Sequence, residues 1–289
     1  MGSLNPIFSD DRAVASRLMF KQLPRRLHYF LFALCFPASL WAAEIELFVL
    51  AGQSNMLGYG GNAKHYPSPQ SRQDDQIGFY WVAPGISSSK GKWTKLQAQG
   101  GIFALGHFGI EVAFARGLIQ NGFRPFIFKY SLGSTSLAKD WLGPGEHGMY
   151  DEMVAELRKA IALQQNVGNK VTIKSLIWIQ GESDAETKEM AGKYRSRLKH
   201  LINDFRMNVA NNPKLPVVLG VDEQHPWVKN HPVVVESQKQ IAAFDSCEVF
   251  TSMIGLPKMD ASHLTPQGLE QHGQLVLEAY LGLRKKCNQ

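Results

Sequence analysis

The chain has 289 residues, 44% of them apolar, with a formal net charge of +6 and three cysteines. This length and apolar content are enough for one well-buried domain, or two at most. Residues 1–43 carry five basic and two acidic side chains, so the rest of the chain has a charge of only about +3. A charge this small, without a basic patch, does not indicate nucleic-acid binding.

The N-terminus has the layout of a secretory signal peptide. Three basic residues precede an apolar run over 27–43, and Pro37 within the run argues against a first core helix. We therefore predict an N-terminal extension and signal peptide over 1–43, one domain over 44–289, and a secreted or periplasmic protein. The start codon, for which Met19 is a second candidate, and the cleavage site stay open. No later apolar run is long enough to span a membrane.

Strand-like and helix-like segments alternate along the rest of the chain. Strands are predicted at 44–51, 125–131, 172–180, 215–222 and 247–254, and helices at 109–120, 150–165, 188–209, 234–244 and 266–283. Such alternation predicts an α/β fold, a three-layer α/β/α sandwich with a central parallel sheet. The strands are nearly continuous apolar runs, as a sheet covered on both faces requires.

The segment 58–107 breaks this alternation. It is rich in Gly, Ser, Pro and Gln, with aromatic islands at "GFYWV" and "KWTKL". We interpret it as a long loop excursion, with room for a hairpin, over the carboxyl edge of the sheet. Loops of this kind often shape a substrate pocket, and a solvent-exposed decoration is the alternative.

A serine stands at the end of the first predicted strand, in the stretch "LAGQSNM". Ligands of open α/β sheets bind at the carboxyl ends of the strands, so Ser54 is a candidate nucleophile. The alternative is a strand-to-helix turn in which Ser or Asn caps the helix.

An acid and a histidine stand three residues apart just before the last predicted helix, in "DASHLTPQG". That spacing can let Asp260 accept from one ring nitrogen of His263 and leave the other free as a general base. Ser, Asp and His in this order suit a serine hydrolase. Met56 stands where a Gly-x-Ser-x-Gly elbow requires its second glycine, which argues against an α/β-hydrolase.

Four short blocks carry a family resemblance. "GQSNM", "KYSLGSTSLAKDW", "WIQGESD" and "DASHLTPQG" resemble, in this order, the blocks of the SGNH/GDSL hydrolases. Within that superfamily the chain resembles the sialate O-acetylesterase-like and acetyl-xylan-esterase-like enzymes, carbohydrate esterase family six, over residues 45–283. The resemblance implies an SGNH/flavodoxin-like fold and a serine esterase that removes acetyl groups from O-acetylated carbohydrate through an acyl-enzyme.

The resemblance also implies residue roles. Ser54 is the expected nucleophile, His263 the general base and Asp260 its orienting acid, with Glu182 as an alternative acid. The expected oxyanion hole combines the backbone amides of Ser54 and Gly133 with the side-chain amide of Gln180.

One departure concerns the second block. Many relatives have Gly-Gly-Thr where this chain has Gly133-Ser134-Thr135, which leaves open the amide that completes the hole.

Four further side chains are expected to bind substrate: Gln53, Asn55, Trp141 and Lys139. Two more aromatic residues, Trp81 and Trp93, are candidates for stacking on a sugar ring, with a buried structural role as the alternative.

No cofactor is expected, because nucleotide-binding glycine motifs are absent and the histidines lack metal-ligand spacing. Two alternative functions remain open at this point. One is a carbohydrate-binding protein without turnover, and the other is a lipase or thioesterase on the same fold. The substrate sugar and the oligomeric state stay open.

Two cysteines remain after the predicted cleavage. Cys247 lies at the start of the last predicted strand and Cys287 follows the last predicted helix, an arrangement that brings them together when helix and strand run antiparallel. A disulfide and a pair of free thiols are both compatible with this placement.

Overall fold

The computed structural model describes residues 43–67 and 72–287. The predicted signal peptide lies outside these ranges. The described residues form strands β1 (Glu44–Gly52), β2 (Gly78–Ala83), β3 (Ser87–Ser88), β4 (Thr94–Lys95), β5 (Pro125–Ser131), β6 (Lys170–Ile179), β7 (Val217–Gly220) and β8 (Glu248–Thr251). The helices are α1 (Ser54–Leu57), α2 (Glu111–Gln120), α3 (Met149–Gln165), α4 (Lys188–Asp204), α5 (Pro226–Asn230), α6 (Val233–Phe244) and α7 (Pro266–Lys286).

The strands form one mostly parallel sheet in the order β3-β2-β5-β1-β6-β7-β8. Strand β1 lies at its centre, where Ala51 pairs with Tyr130 of β5 on one side and Trp178 of β6 on the other. Only β3 and β4, both partners of β2, run antiparallel among the described strands. The α/β fold with a central parallel sheet is confirmed.

Helices cover both faces of the sheet. Alternate residues of β1 point to opposite faces, so Leu47 and Val49 belong to one hydrophobic core and Phe48 and Leu50 to another. The first core is shared with α3, α4 and α6, and the second with α2 and α7. These two cores fix the carboxyl edge of the sheet, where the predicted site residues stand.

The segment 58–107 is not only a loop excursion, which corrects the prediction. Its "GFYWV" island is strand β2, which pairs in parallel with β5 and carries the short antiparallel strands β3 and β4. Trp81 is buried and stacks on Phe79, with ring centroids 5.1 Å apart. Trp93 is partly buried and donates its indole N–H to the carbonyl oxygen of Ala160 at 2.8 Å. Both tryptophans therefore take the structural role.

Two helical details also differ from the sequence prediction. The α-helix predicted over 188–209 ends at Asp204 and continues as one π-helical turn, Phe205–Val209. Arg206 in this turn is buried and donates to the carbonyl oxygen of Leu215 and to Asp245, which holds the turn against the next strand. The short helix α5 was not predicted.

Cys247 and Cys287 form a disulfide bond, with their Cα atoms 5.6 Å apart. The bond joins the segment before β8 to the end of α7, as the antiparallel packing of the helix predicts. No helix in the described ranges is both long and apolar enough to cross a membrane.

Candidate active site

Ser54 lies in a buried turn at the end of the central strand. Strand β1 ends at Gly52, whose φ of +151° and close approach to Ile179 exclude a side chain, since a Cβ there would lie 2.0 Å from the carbonyl oxygen of Ile179. The chain then forms α1, Ser54–Leu57, which we call the serine turn. All four of its residues are buried, and Ser54 is 7% exposed. The sharp turn thus places a nearly buried hydroxyl at the carboxyl edge of the sheet.

A fully buried ion pair supports the serine turn from behind. Lys129 Nζ lies 2.7 Å from Glu111 Oε2, both side chains have no exposed surface, and Nζ also donates to the carbonyl oxygen of Leu57 at 3.1 Å. The second carboxylate oxygen of Glu111 accepts from the backbone N–H of Gly109 and from Gln99 Nε2. Burial lowers the pKa of Lys129, and Glu111 opposes that shift. Sequence reasoning missed this pair, although a lysine inside the apolar strand "PFIFKYS" was a signal for it.

His263 lies in a loop over residues 258–264, which we call the histidine loop. Its Nδ1 lies 2.8 Å from Asp260 Oδ2, and Asp260 Oδ1 accepts the backbone N–H groups of Ser262 and His263 at 2.6 and 2.7 Å. Slight burial raises the pKa of Asp260, but these hydrogen bonds outweigh it and the pKa falls below its usual value. A carboxylate on Nδ1 holds the tautomer in which Nε2 is an acceptor.

Asn55 joins the serine turn to the histidine loop. Its Nδ2 donates to the carbonyl oxygen of Ser262 at 3.0 Å, and its Oδ1 accepts the backbone N–H of Leu264 at 3.1 Å. The residue next to Ser54 therefore holds both neighbours of His263. The ring of Tyr59, which is 44% exposed, lies 4.4 Å from the ring of His263, centroid to centroid. The bond between Asn55 and the backbone of Leu264 thus joins residues 209 positions apart in sequence at one place on the sheet edge.

The second block passes directly beside the serine. A Cβ built on Gly133 would lie 3.6 Å from Ser54 Cβ. The next residue, Ser134, is exposed and has a φ of +59°, the left-handed conformation that glycine adopts most easily. Ser134 thus takes a backbone conformation that a glycine at this position would adopt with less strain.

Comparison with known proteins identifies the family. A family model described as carbohydrate esterase, sialic acid-specific acetylesterase, matches residues 44–282. The chain belongs to this family. It is therefore a carboxylic ester hydrolase that removes acetyl groups from acetylated carbohydrate.

Individual relatives agree with the family match. A probable carbohydrate esterase of Arabidopsis thaliana is 28% identical over 251 residues, which cover 82% of this chain and 90% of the relative. Among solved structures, NanS has a TM-score of 0.61 at 16% identity, covering 85% of this chain and 99% of NanS. A carbohydrate acetylesterase from Xanthomonas citri has a TM-score of 0.55 at 20% identity, covering 83% of this chain and 56% of that one. At these identities the two structural likenesses establish the fold.

Within this esterase, Gln180 has no hydrogen left for an oxyanion. Its Nε2 donates to the carbonyl oxygen of Thr135 at 3.0 Å and to Asp184 Oδ2 at 2.7 Å, and the side chain is fully buried. Asp184 also accepts the backbone N–H groups of Leu137 and Ala138, while burial raises its pKa to about 6. Gln180 and Asp184 therefore hold the second block to the third, and this geometry does not support the expected oxyanion role of Gln180.

Glu182 does not contact His263, so the structure favours Asp260 as the partner of the histidine. Glu182 is 2% exposed, and its Oε1 accepts the backbone N–H of Asp222 at 3.0 Å. Burial raises its pKa to about 7, against which its hydrogen bonds act only in part. Glu182 therefore links the end of β6 to the end of β7.

The four expected substrate-binding side chains are mostly engaged within the protein. Gln53 Oε1 accepts the backbone N–H groups of Gly181 and Ser183, each at 3.4 Å, and both polar atoms of Asn55 bind the histidine loop. Trp141 is fully buried and donates to Thr135 Oγ1, so it belongs to the core. Lys139 is exposed and lies 3.8 Å from Glu186. The contacts of Asn55 and Trp141 in this structure are therefore structural, and a substrate-binding role for Gln53 and Lys139 stays a prediction.

Proposed function

We propose that this carbohydrate esterase works through Ser54, His263 and Asp260 in an acyl-enzyme mechanism. The observation that carries the proposal is the Asp260–His263 contact of 2.8 Å, held over the serine turn by Asn55. The carboxylate keeps Nδ1 of His263 protonated, and Nε2 is then available to accept the proton of Ser54.

The first half of the reaction transfers the acetyl group. Ser54 Oγ attacks the acetyl carbonyl carbon as its proton passes to His263 Nε2, and a tetrahedral intermediate forms. The backbone N–H groups of Ser54 and Gly133 stabilise its oxyanion, since Gly133 lies next to Ser54. The bond from carbon to the sugar oxygen then breaks, and the imidazolium returns its proton to that oxygen.

The second half of the reaction repeats these steps with water. Water attacks the acetyl-serine and gives its proton to His263, and collapse of the second intermediate releases acetate and the free serine. No redox step is involved. The exposed ring of Tyr59 next to His263 provides an apolar wall for the sugar that carries the acetyl group.

Acetate release by the purified protein tests the mechanism. Suitable substrates are p-nitrophenyl acetate, acetylated xylan and an O-acetylated sialic acid, compared between wild type, Ser54→Ala and a control, Ser196→Ala, on the exposed face of α4. We expect Ser54→Ala to lose at least about 1,000-fold in rate, because it removes the nucleophile, and Ser196→Ala to keep full activity. A folded Ser54→Ala protein with wild-type activity would exclude Ser54. A higher rate on acetylated xylan or on the O-acetylated sialic acid shows which of these two carbohydrates the enzyme prefers.

We also propose that residues 1–43 are an N-terminal extension with a signal peptide, that 44–289 is the esterase domain, and that the enzyme is exported. The Cys247–Cys287 disulfide supports export, because such bonds persist in oxidising compartments. N-terminal sequencing of the exported protein should begin near Glu44, and an uncleaved chain would contradict the proposal.

A further inference from the structure

The histidine loop lies at the surface and packs few side chains into the core. Met259 is 52% exposed, and Asp260 and Ala261 are also exposed. Several bonds of the loop are internal, such as the 2.9 Å bond from the N–H of Met259 to the carbonyl oxygen of His263. Internal bonds give the loop its shape but do not fix its position relative to Ser54.

Besides the ring of Tyr59 on His263 and the burial of Leu264, two polar side chains tie the loop to other described segments. Asn55 binds its second half, at Ser262 and Leu264. Lys258 binds its tip, because its Nζ donates to the carbonyl oxygen of Ala261 at 2.7 Å and forms an ion pair with Asp222. The tip is the part that carries Asp260.

Asp222 is itself a fixed point. It follows β7, has a fully buried side chain, and uses both carboxylate oxygens: Oδ1 accepts the N–H of Gln224 at 3.0 Å and Oδ2 accepts from Lys258. Its own N–H donates to Glu182 Oε1 at 3.0 Å. A continuous chain of polar contacts thus runs from the third block, through Glu182, Asp222 and Lys258, to the tip of the histidine loop.

We propose that Lys258 is a positioning residue for the Asp260–His263 pair. This positioning role rests on the proposed function, in which His263 takes the proton of Ser54. Lys258 is 15% exposed at its side chain, and in the described structure its ammonium contacts the protein rather than the serine. Its effect on the reaction is therefore indirect: it holds the loop tip at the distance and angle that proton transfer needs.

The expected effect of losing this anchor follows from the geometry. A shift of about 1 Å in a catalytic group can cost about 100-fold in rate. Asn55 still holds the second half of the loop when Lys258 is changed, so we expect a smaller shift. Lys258→Met should lower kcat by about 10- to 100-fold and leave KM within about two-fold, because the change acts on proton transfer rather than on contacts with the substrate.

Three variants test the proposal with p-nitrophenyl acetate, each measured for kcat, KM and thermal unfolding. Lys258→Met removes the anchor, and Lys258→Arg keeps a positive donor at the same place and should restore part of kcat. Lys239→Met is the matched control. Lys239, on α6, forms an ion pair at 3.5 Å with Glu223, the carboxylate next to Asp222, and its ammonium lies over the ring of Phe250 on β8. It should leave kcat unchanged.

A fourth variant covers the case in which Lys258→Met does not fold because Asp222 is left as an unpaired buried charge. Lys258→Met with Asp222→Asn removes that charge but still lacks the bond to Ala261, so it should fold and show the same loss of kcat.

The outcomes separate this inference from the proposed function. Loss of kcat with unchanged KM and partial rescue by arginine supports the positioning role. A folded Lys258→Met protein, or the double variant, with kcat within two-fold of wild type overturns it, as does an equal loss in Lys239→Met. An active wild type with inactive Ser54→Ala keeps the proposed function in either case. A wild type without esterase activity overturns both.

Discussion

The serine turn and the histidine loop hold their functional groups by opposite means. The serine turn is buried at every residue and is backed by a fully buried ion pair. In the histidine loop, Asp260 has a side chain that is 43% exposed, and a few hydrogen bonds at the surface set its position. The hydroxyl is therefore placed by the folding core, whereas the imidazole is placed by local polar contacts.

This difference predicts where substitutions act. Changes behind the serine turn lower the free energy of unfolding, because they leave a buried charge without its partner in an interior that excludes water. Changes at the exposed residues of the histidine loop, such as Asp260, alter catalysis more than stability, because their atoms are hydrated in either state.

The largest effect is expected at the ion pair behind the serine turn. Lys129→Met leaves the Glu111 carboxylate buried without its cation and should lower the free energy of unfolding by about 3–5 kcal/mol. Urea unfolding at neutral pH measures it. The ammonium also caps the Leu57 carbonyl, so the serine turn should become more mobile as well.

Two controls define this prediction. Lys129→Met with Glu111→Gln removes the orphaned charge and should recover most of the lost stability. Lys159→Met breaks an exposed pair with Glu156, whose lysine side chain is 68% exposed, and should cost less than about 1 kcal/mol. Equal losses of unfolding free energy in Lys129→Met and Lys159→Met would show that the buried pair contributes no more to stability than the exposed one.

The next effect concerns pH and the support beneath the histidine loop. Burial raises the pKa of Glu182 to about 7, above its ordinary value of 4.5. The folded protein therefore keeps a proton that the unfolded chain releases between these two values. Stability from this group is present below pH 4.5 and is lost as the pH rises towards 7.

Glu182→Gln should remove that loss. From pH 5 to pH 8 the free energy of unfolding should decrease in both proteins, but the decrease should be smaller in Glu182→Gln by up to about 3 kcal/mol. Urea unfolding at each pH measures it. Burial also raises the pKa of Glu248 to about 7, but this residue titrates in both proteins, so the difference between them isolates Glu182. Parallel pH curves would show that Glu182 titrates normally.

The sequence predicted the parts of the molecule in which local pattern and tertiary structure agree. Apolar runs identified the five main strands, and the Asp-x-x-His spacing identified a contact that the fold contains. Strand β2 was not predicted, because the segments around it have the composition of loops and the strand depends on its pairing with β5.

Side-chain roles were harder to predict, because hydrogen-bond partners come from distant parts of the chain. Gln180 suited an oxyanion hole by type and position, yet its hydrogens bind Thr135 and Asp184. Lys129 and Glu111 are 18 positions apart, and no spacing rule predicts a buried pair at that distance. Lys258 and Asp222 likewise meet only because β7 ends beside the histidine loop.

The smallest effect is expected at Ser134, beside the serine turn. Its φ of +59° costs a residue with a Cβ about 1–2 kcal/mol, while glycine adds up to about 1 kcal/mol of unfolded-state entropy. Ser134→Gly should therefore raise the free energy of unfolding by up to about 1 kcal/mol. Ser134→Ala keeps the Cβ and should show no gain. Because the proposed donor is the N–H of Gly133, kcat should stay within about two-fold of wild type in both variants. A loss of activity confined to Ser134→Gly would instead mean that the restricted backbone at Ser134 helps to position the N–H of Gly133. It would also show that the serine side of the site depends on a surface residue.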